Sequence, residues 1–338
     1  MALTDKILSF NTLLQVSEYF SDQQNCIDFI KEVRWNGELK CAHCGHDKVY
    51  TLNGKNKRYK CAGCKKQFTI IKGTIFENSP IPLKKWFITI YLLVTRKKGI
   101  SSIQLSKDIG VTQKTAWFML HRIRFMLRDS IIENKLKGII QLDETFVGGK
   151  NKNRHWDKKV KNSQGRSFKD KTPVFGMLEQ EESYYIERPH KVIEGRTVRE
   201  KVVTKRKTLR CKVVKNTRAK TLKPIIYQSV ERGCTIVTDE WQAYNGLNGI
   251  YEHYIVNHKE KQYATDGYSS NGVENVWSHF KRAIIGVYHN VSRKHLHRYV
   301  SEFEFRYNNH LLKGEELMQT AFVNFERRLT WRQLLRRE

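Results

Sequence analysis

Two cysteine pairs, Cys41-Ala-His-Cys44 and Cys61-Ala-Gly-Cys64, stand sixteen residues apart. Each Cys-x2-Cys turn can present two thiolates to one ion. A β-hairpin between the pairs would bring the halves into one tetrahedral shell, so the spacing predicts a zinc ribbon over residues 38–72. In a reducing compartment four such cysteines point to metal rather than disulfide. Lys40, Lys60, Lys65 and Lys66 flank them and would partly offset the charge of a zinc tetrathiolate. His43 and His46 are possible substitute ligands, although four cysteines already complete the shell. The isolated Cys26, Cys211 and Cys234 read as small buried hydrophobes. Ahead of the ribbon, Leu14, Val16, Phe20, Cys26, Phe29 and Ile30 recur at helical spacing, which predicts a helical lead-in within residues 1–37.

Zinc ribbons serve DNA binding, protein docking or stability alone, so the choice falls to charge. The 338 residues carry 62 Lys and Arg against 34 Asp and Glu, a formal charge of +28. With 39% apolar residues the chain has enough core-forming material to fold despite that excess. Such self-repulsion points to an extended polyanionic partner, nucleic acid first and anionic membrane second. The longest apolar run, Trp86 to Val94, is broken by Thr89 and far short of the roughly 20 residues that span a bilayer. The start, MALTDKILSFN, has no apolar stretch with a small-residue cleavage site, so a cytoplasmic protein is expected. Residues 150–171 hold nine Lys/Arg against two Asp, and residues 199–220 ten against one Glu. Each segment is either a solvated loop or a set of DNA backbone contacts, including Lys150, Lys152 and Arg154.

From Pro80 to about Asp129 the apolar period is helical. In SSIQLSKDIGVTQKTAWFMLHRIRFML a short helix meets Gly110, and Thr112 is placed to cap a longer one. This predicts a helix-turn-helix in residues 80–130, with Gln113, Lys114 and Thr115 near base edges and Arg122 and Arg124 as further DNA contacts. An ordinary helical hairpin packing a core would show the same pattern. Near residue 138 the period changes. Strand-like runs GIIQLDETFV, TPVFGML, SYYIERP and GCTIVTD, with a helix near 218–231, predict an α/β layer. After about residue 270 the pattern is helical to the end.

In so basic a chain, the placement of acids is informative. Asp143 lies inside an apolar strand, where a lone carboxylate is costly. Asp239 ends the strand Cys234 to Thr238, at an edge where α/β sites commonly open. Glu274 follows Asn271 at the start of a helix with an apolar stripe, and Lys281 lies seven residues on, along the same face. Two carboxylates on neighbouring strands and a third on a helix can hold two Mg²⁺ or Mn²⁺ ions for phosphodiester chemistry. Singly, each acid has an ordinary reading: Asp143 or Glu144 in an ion pair, Asp239 capping the turn before Trp241, Glu274 in a capping box with Asn271.

The runs LDETFVGGK (142–150), TDEWQAYNGL (238–247) and NGVENVWSHFKRAIIGVYHNVSRKHLHRYVSEFEFRYNN (271–309) resemble the DDE transposases of bacterial insertion sequences in the Merlin-related, ISXO-like group. The resemblance covers nearly the whole chain, because a zinc ribbon and helix-turn-helix precede the catalytic domain in that group. It implies a ribonuclease H-like catalytic domain over 135–312, followed by a helical tail, 313–338. It also implies Asp143, Asp239 and Glu274 as metal ligands and Lys281, with Arg282, as a DNA or phosphate contact. Some members of the group use Asn or His as the third ligand; Glu274 is favoured here, with Asn271 as helix cap or outer ligand. Trp156, His155, Tyr263, Tyr268 and Trp277 are candidates to stack on exposed bases. The expected partners are the element's terminal inverted repeats and target DNA, bound by a dimer or larger assembly. Rivals are a DNA-binding regulator and a ribonuclease or resolvase-like nuclease.

Overall fold

The computed structural model describes residues 11–52, 57–128, 134–148, 155–161, 170–189, 197–257 and 269–336. Contacts divide the chain into two units, Met1–Ile131 with Ser301–Glu338, and Ile132–Val300.

In the first unit α1 (Leu13–Tyr19) opens on a capping box at Thr12, and α2 (Gln23–Trp35) is capped by Asp22. Val16, Phe20, Cys26, Phe29 and Ile30 are buried as their spacing predicts, whereas Leu14 is exposed. Three short antiparallel strands follow in the order β1 (Val49–Leu52), β2 (Arg58–Cys61) and β3 (Gln67–Phe68). Next come α3 (Leu83–Thr95), α4 (Ser102–Ile109) and α5 (Gln113–Leu127). Gly110 ends α4 in the left-handed conformation at φ +61°, and Thr112 caps α5 by accepting from the Thr115 N–H, so α4 and α5 are joined by a three-residue turn.

The second unit is built on a five-stranded mixed sheet. Its strands are β4 (Ile139–Gly148), β5 (Lys171–Glu179), β8 (Thr208–Val213), β9 (Thr235–Thr238) and β10 (Glu252–Ile255). Between β5 and β8 the chain makes a separate two-stranded ribbon, β6 (Glu182–Pro189) with β7 (Thr197–Lys205). The sheet order is β10-β9-β4-β5-β8; β5 is antiparallel to β4 and β8, and β9 is parallel to β4 and β10. The crossover from β8 to β9 carries α6 (Ala219–Ser229). All of β8 lies in the basic segment 199–220. Leu209, Cys211 and Val213 alternate with Arg210 and Lys212, so part of that segment is a strand rather than a loop.

Helix α6 and the 3-10 turn Gln242–Tyr244 cover one face, where Ile140, Leu142, Phe175, Met177, Leu222, Ile226, Ile236 and Tyr244 form a core. The opposite face is covered by α7 (Asn271–Ala283), which packs across β4 and β5. Pro173 to Glu179 of β5 are accordingly buried on both faces. Gly176 lets α7 approach: a Cβ there would stand 2.4 Å from Cζ2 of Trp277. Gly176→Ala is therefore expected to destabilise the protein by about 1–3 kcal/mol, the usual cost of overpacking, read as a lowered urea midpoint at unchanged slope.

Helix α8 (Leu296–Asn308) leads the chain back to the first unit, which α9 (Gly314–Phe322) and α10 (Trp331–Leu335) complete. Residues 313–338, expected as a tail, are helical in part and enter this unit's core through Leu317, Met318, Phe322 and Phe325. Phe322 stacks on Phe87 with centroids 5.5 Å apart, and Phe87 on Phe20 at 4.1 Å. No helix among the described residues is long and apolar enough to cross a membrane.

Candidate functional site

Cys41 and Cys44 sit on one tight turn, and Cys61 and Cys64 on a second that β2 leads into. Each turn relaxes through a left-handed residue just after its second cysteine, Gly45 at φ +76° and Lys65 at φ +59°. The backbone N–H groups of His43 and Cys64 donate to the sulfurs of Cys41 and Cys61 at 3.4 Å. All four Sγ atoms lie within 4.8 Å of one another, with Cys41–Cys64 at 3.7 Å and Cys44–Cys61 at 3.6 Å. A tetrahedron of sulfurs each about 2.3 Å from zinc has edges of about 3.8 Å, so the thiols fit the ion. Their acidities point the same way. Burial opposes ionisation of Cys61, but the Cys64 N–H and the adjoining thiols outweigh it and bring that thiol down to about 6. At Cys44 the His46 N–H favours the thiolate, but desolvation and the other three thiols push the group up to about 11. Four thiols this close share charge poorly until a dication joins them. His43 packs near Phe68, and the His46 ring lies against Gly63.

The acids of the second unit are placed by sheet geometry. The parallel ladder between β4 and β9 ends at Gln141 opposite Val237. Asp143 and Asp239 each stand two residues beyond that last pair, side by side where the strands part. By strand alternation Asp143 is in step with Gln141, which directs it toward the α7 face; Asp239 is the residue after β9, at the start of the following turn. Gln141 fastens that face: its Oε1 accepts from the Val273 N–H at 2.8 Å, and its Nε2 donates to the Ser269 carbonyl. Trp277 packs on Gly176, the residue that pairs with Asp143 across β4 and β5. Glu274 is thus in the first turn of the helix covering Asp143. It is exposed, and its Oε1 accepts from Ser270 Oγ at 3.3 Å. Ser270, rather than Asn271, is the residue preceding the helix; Asn271 is the first helical residue and exposed. Lys281 and Arg282 are exposed in its last turn. Among the described residues, only the cysteines form a group of three or more His, Cys, Asp or Glu with ligand atoms within 4.8 Å of one another.

Sequence reasoning missed Tyr244. It lies five residues past Asp239, is 1% exposed, and its hydroxyl donates to Glu144 Oε1 at 2.5 Å. Burial first, then the charges of Glu144, Asp143 and Asp239, hold this phenol well above its ordinary pKa, so it stays a donor. Asp239 Oδ1 accepts from the Trp241 N–H at 3.1 Å, and Trp241 Nε1 donates to the Thr217 carbonyl at 2.9 Å. The turn-capping reading of Asp239 therefore describes one of its oxygens.

The residues taken for DNA contacts divide. Gln113 and Lys114 are exposed and Thr115 half-buried at the start of α5. Gln113 Nε2 donates to Ser102 Oγ at 2.8 Å, and Lys114 Nζ lies 5.1 Å from the Trp331 ring centroid. Arg122 and Arg124 do not face solvent: they are 4% and 1% exposed. Arg122 donates to the Glu77 carbonyl at 2.6 Å, and burial, then the charge of Arg328, pushes it down to about 10. Arg124 pairs with Glu302 at 2.5 Å, which also holds Arg306. Both guanidiniums are part of the helical core, so the expected DNA contact is replaced by a structural one. Trp156 is 86% exposed beside His155. Trp277 is core. Lys150, Lys152, Arg154, Tyr263 and Tyr268 lie outside the described residues.

Residues 135–308 match the ISXO2-like transposase domain, and residues 21–67 match the transposase zinc-ribbon domain. The chain is 24% identical over 312 residues to a protein in transposable element ISH50 of Halobacterium salinarum, across 89% of this chain and 96% of that one. It is 30% identical over 112 residues to a transposase-like protein of Haemophilus influenzae, across 32% of this chain and 89% of that one. No solved structure matches the chain.

Proposed function

Because the chain belongs to the ISXO2-like transposases, whose domain spans just over half of it, we propose that it is a metal-dependent enzyme that cuts and rejoins DNA at the ends of its own mobile element. The observation that carries this reading is the placement of Asp143 within β4 and of Asp239 just past β9, each two residues beyond the last pair of the parallel ladder, on a sheet whose β4 and β5 are covered by the helix that bears Glu274.

The donor set is oxygen throughout, which suits hard divalent cations. Asp143, Asp239 and Glu274, with Asn271 as outer ligand, would hold two Mg²⁺ or Mn²⁺ ions, which when bound supply Lewis-acid activation of the attacking oxygen and stabilise the leaving one. Lys281 and Arg282, on exposed positions of the same helix, would take scissile-strand phosphates. In the first step water attacks phosphorus at an element end and the P–O3′ bond breaks, leaving a 3′-hydroxyl. In the second that hydroxyl attacks a target phosphodiester in line and displaces a target 3′-hydroxyl.

Three antiparallel strands followed, across a helical crossover, by two parallel ones support the ribonuclease H-like reading of the sheet. The short α4, its left-handed Gly110 and the capped α5 support a helix-turn-helix. That element and the zinc ribbon would bind the terminal inverted repeats, with Gln113, Lys114 and Thr115 nearest the bases. Lys150, Lys152, Arg154 and Trp156 are proposed to grip flanking or target DNA. Two ends must meet, so a dimer or larger assembly acts on DNA in the bacterial cytoplasm.

The test uses duplexes made from the DNA flanking the coding region. Full-length protein is expected to nick them at a fixed position with Mg²⁺; binding without nicking under Mg²⁺ and Mn²⁺ would leave a DNA-binding regulator. Lys114→Ala should cost about 1–3 kcal/mol on the end sequence, roughly 5- to 150-fold, and little on random duplex. Lys281→Ala should weaken both alike and flatten the log–log salt slope by about 0.9. Fluorescence anisotropy across salt concentrations measures both.

A further inference from the structure

We propose that Tyr244 and Glu144 form a strut that sets the spacing of Asp143 and Asp239, making Tyr244 a positioning residue for the divalent-metal site. The inference rests on the reading of those two acids as metal ligands.

The backbone ladder that joins β4 to β9 stops at Gln141 and Val237. Two residues further on, at Asp143 within β4 and Asp239 just past β9, that ladder has ended. The gap is closed from the reverse face of the sheet. Glu144 follows Asp143 and, by alternation, points to the side where Tyr244 sits in the core. The Tyr244 hydroxyl reaches it at 2.5 Å. From Tyr244 the chain returns to Asp239 through a turn held at each step. The Tyr244 N–H donates to the Trp241 carbonyl at 3.0 Å, the Trp241 N–H donates to Asp239 Oδ1, and the Trp241 indole is tied to Thr217. Glu144, Tyr244 and Trp241 therefore link Asp143 to Asp239 through one continuous chain of peptide and hydrogen bonds.

The residue types are hard to account for otherwise. The surrounding core is apolar, so a phenylalanine would fill the ring's place without having to bury a hydroxyl. The hydroxyl is worth keeping because its acceptor is a carboxylate, and such charge-assisted bonds are short and about twice as strong as neutral ones. Glu144 in turn would crowd a third negative charge onto the two acids unless a donor engaged it.

The experiment titrates Mn²⁺ alone into full-length, zinc-loaded protein by calorimetry, for wild type and five variants. Tyr244→Phe removes one oxygen and is expected to weaken Mn²⁺ binding about 10- to 100-fold, the usual loss when a ligand's support is removed. Glu144→Ala cuts the strut from its other end and should give the same loss, with the double variant no worse than either. Glu144→Gln keeps an oxygen acceptor and should stay within about threefold of wild type. Strand cleavage by Tyr244→Phe should recover at saturating Mn²⁺, a metal-dependence shift that simple loss of stability does not produce. Wild-type affinity in Tyr244→Phe or in Glu144→Ala would overturn the strut. So would a loss in Glu144→Gln as large as in Asp239→Asn, which would make Glu144 itself a ligand. If Asp239→Asn binds Mn²⁺ as wild type does, the metal-ligand reading fails first, and the two failures are told apart.

Discussion

Asp143→Asn and Asp239→Asn are each expected to lower strand cleavage by at least about a thousandfold while duplex binding stays within about twofold. The change is nearly isosteric. At Asp239 an amide oxygen can still accept from the Trp241 N–H, so the turn that carries it is retained. What is lost is a negative oxygen ligand. In two-metal phosphoryl transfer the ions contribute several kcal/mol of transition-state stabilisation, and each 1.36 kcal/mol is tenfold in rate. Residues that act as one unit are far from additive, so the double variant should be no slower than the worse single one. Glu274→Gln should fall in the same class, whereas Asn271→Ala should retain most activity if Asn271 is only an outer ligand. Single-turnover nicking of an end duplex in Mg²⁺ measures all of these. Full activity in any one acid variant would remove that residue from the site.

Removing zinc should have the largest effect on folding. The ribbon's sheet is three strands of four, four and two residues. So small a sheet orders little without a staple. In zinc peptides the binding energy, about 10–16 kcal/mol, is folding energy. Protein purified without chelator should carry one zinc per chain. Excess chelator or Cys61→Ser should unfold residues 41–68 while the α/β unit stays folded, read by hydrogen exchange in the two segments. The expected loss reaches beyond the ribbon, because Cys41, Tyr59, Cys61, Phe68 and Ile70 belong to the same core as α3 and α5. Zinc content near zero in such a preparation would refute the site.

What was legible in the sequence was whatever local spacing encodes. Two Cys-x2-Cys turns have few uses other than sharing an ion, and the turn from α4 to α5 is written in Gly110 and Thr112. The runs that became β4, β5, β6 and β9 stood out through apolar or β-branched residues. Strand β8 did not, because Arg210 and Lys212 mask the alternation of Leu209, Cys211 and Val213. What local spacing cannot carry is a partner far along the chain. Arg124 looks like a surface cation on a basic helix until Glu302, 178 residues away, is folded against it. Likewise Tyr244 reads as one more core aromatic, and its bond to Glu144 spans 100 residues. A cap at Asn271 is not observed: Asn271 is the first residue of α7, and Ser270 before it makes no side-chain cap bond, because its backbone is helical rather than extended.

The account turns on whether Asp143, Asp239 and Glu274 gather divalent ions. Diffraction from crystals of the full chain grown with Mn²⁺, collected at the manganese absorption edge, tests this directly. Two anomalous peaks about 3.5–4 Å apart, each within bonding distance of Asp143 or Asp239 and one of them reaching Glu274, is the predicted result. Manganese bound elsewhere, or well-ordered carboxylates of Asp143 and Asp239 with no peak between them, would contradict it.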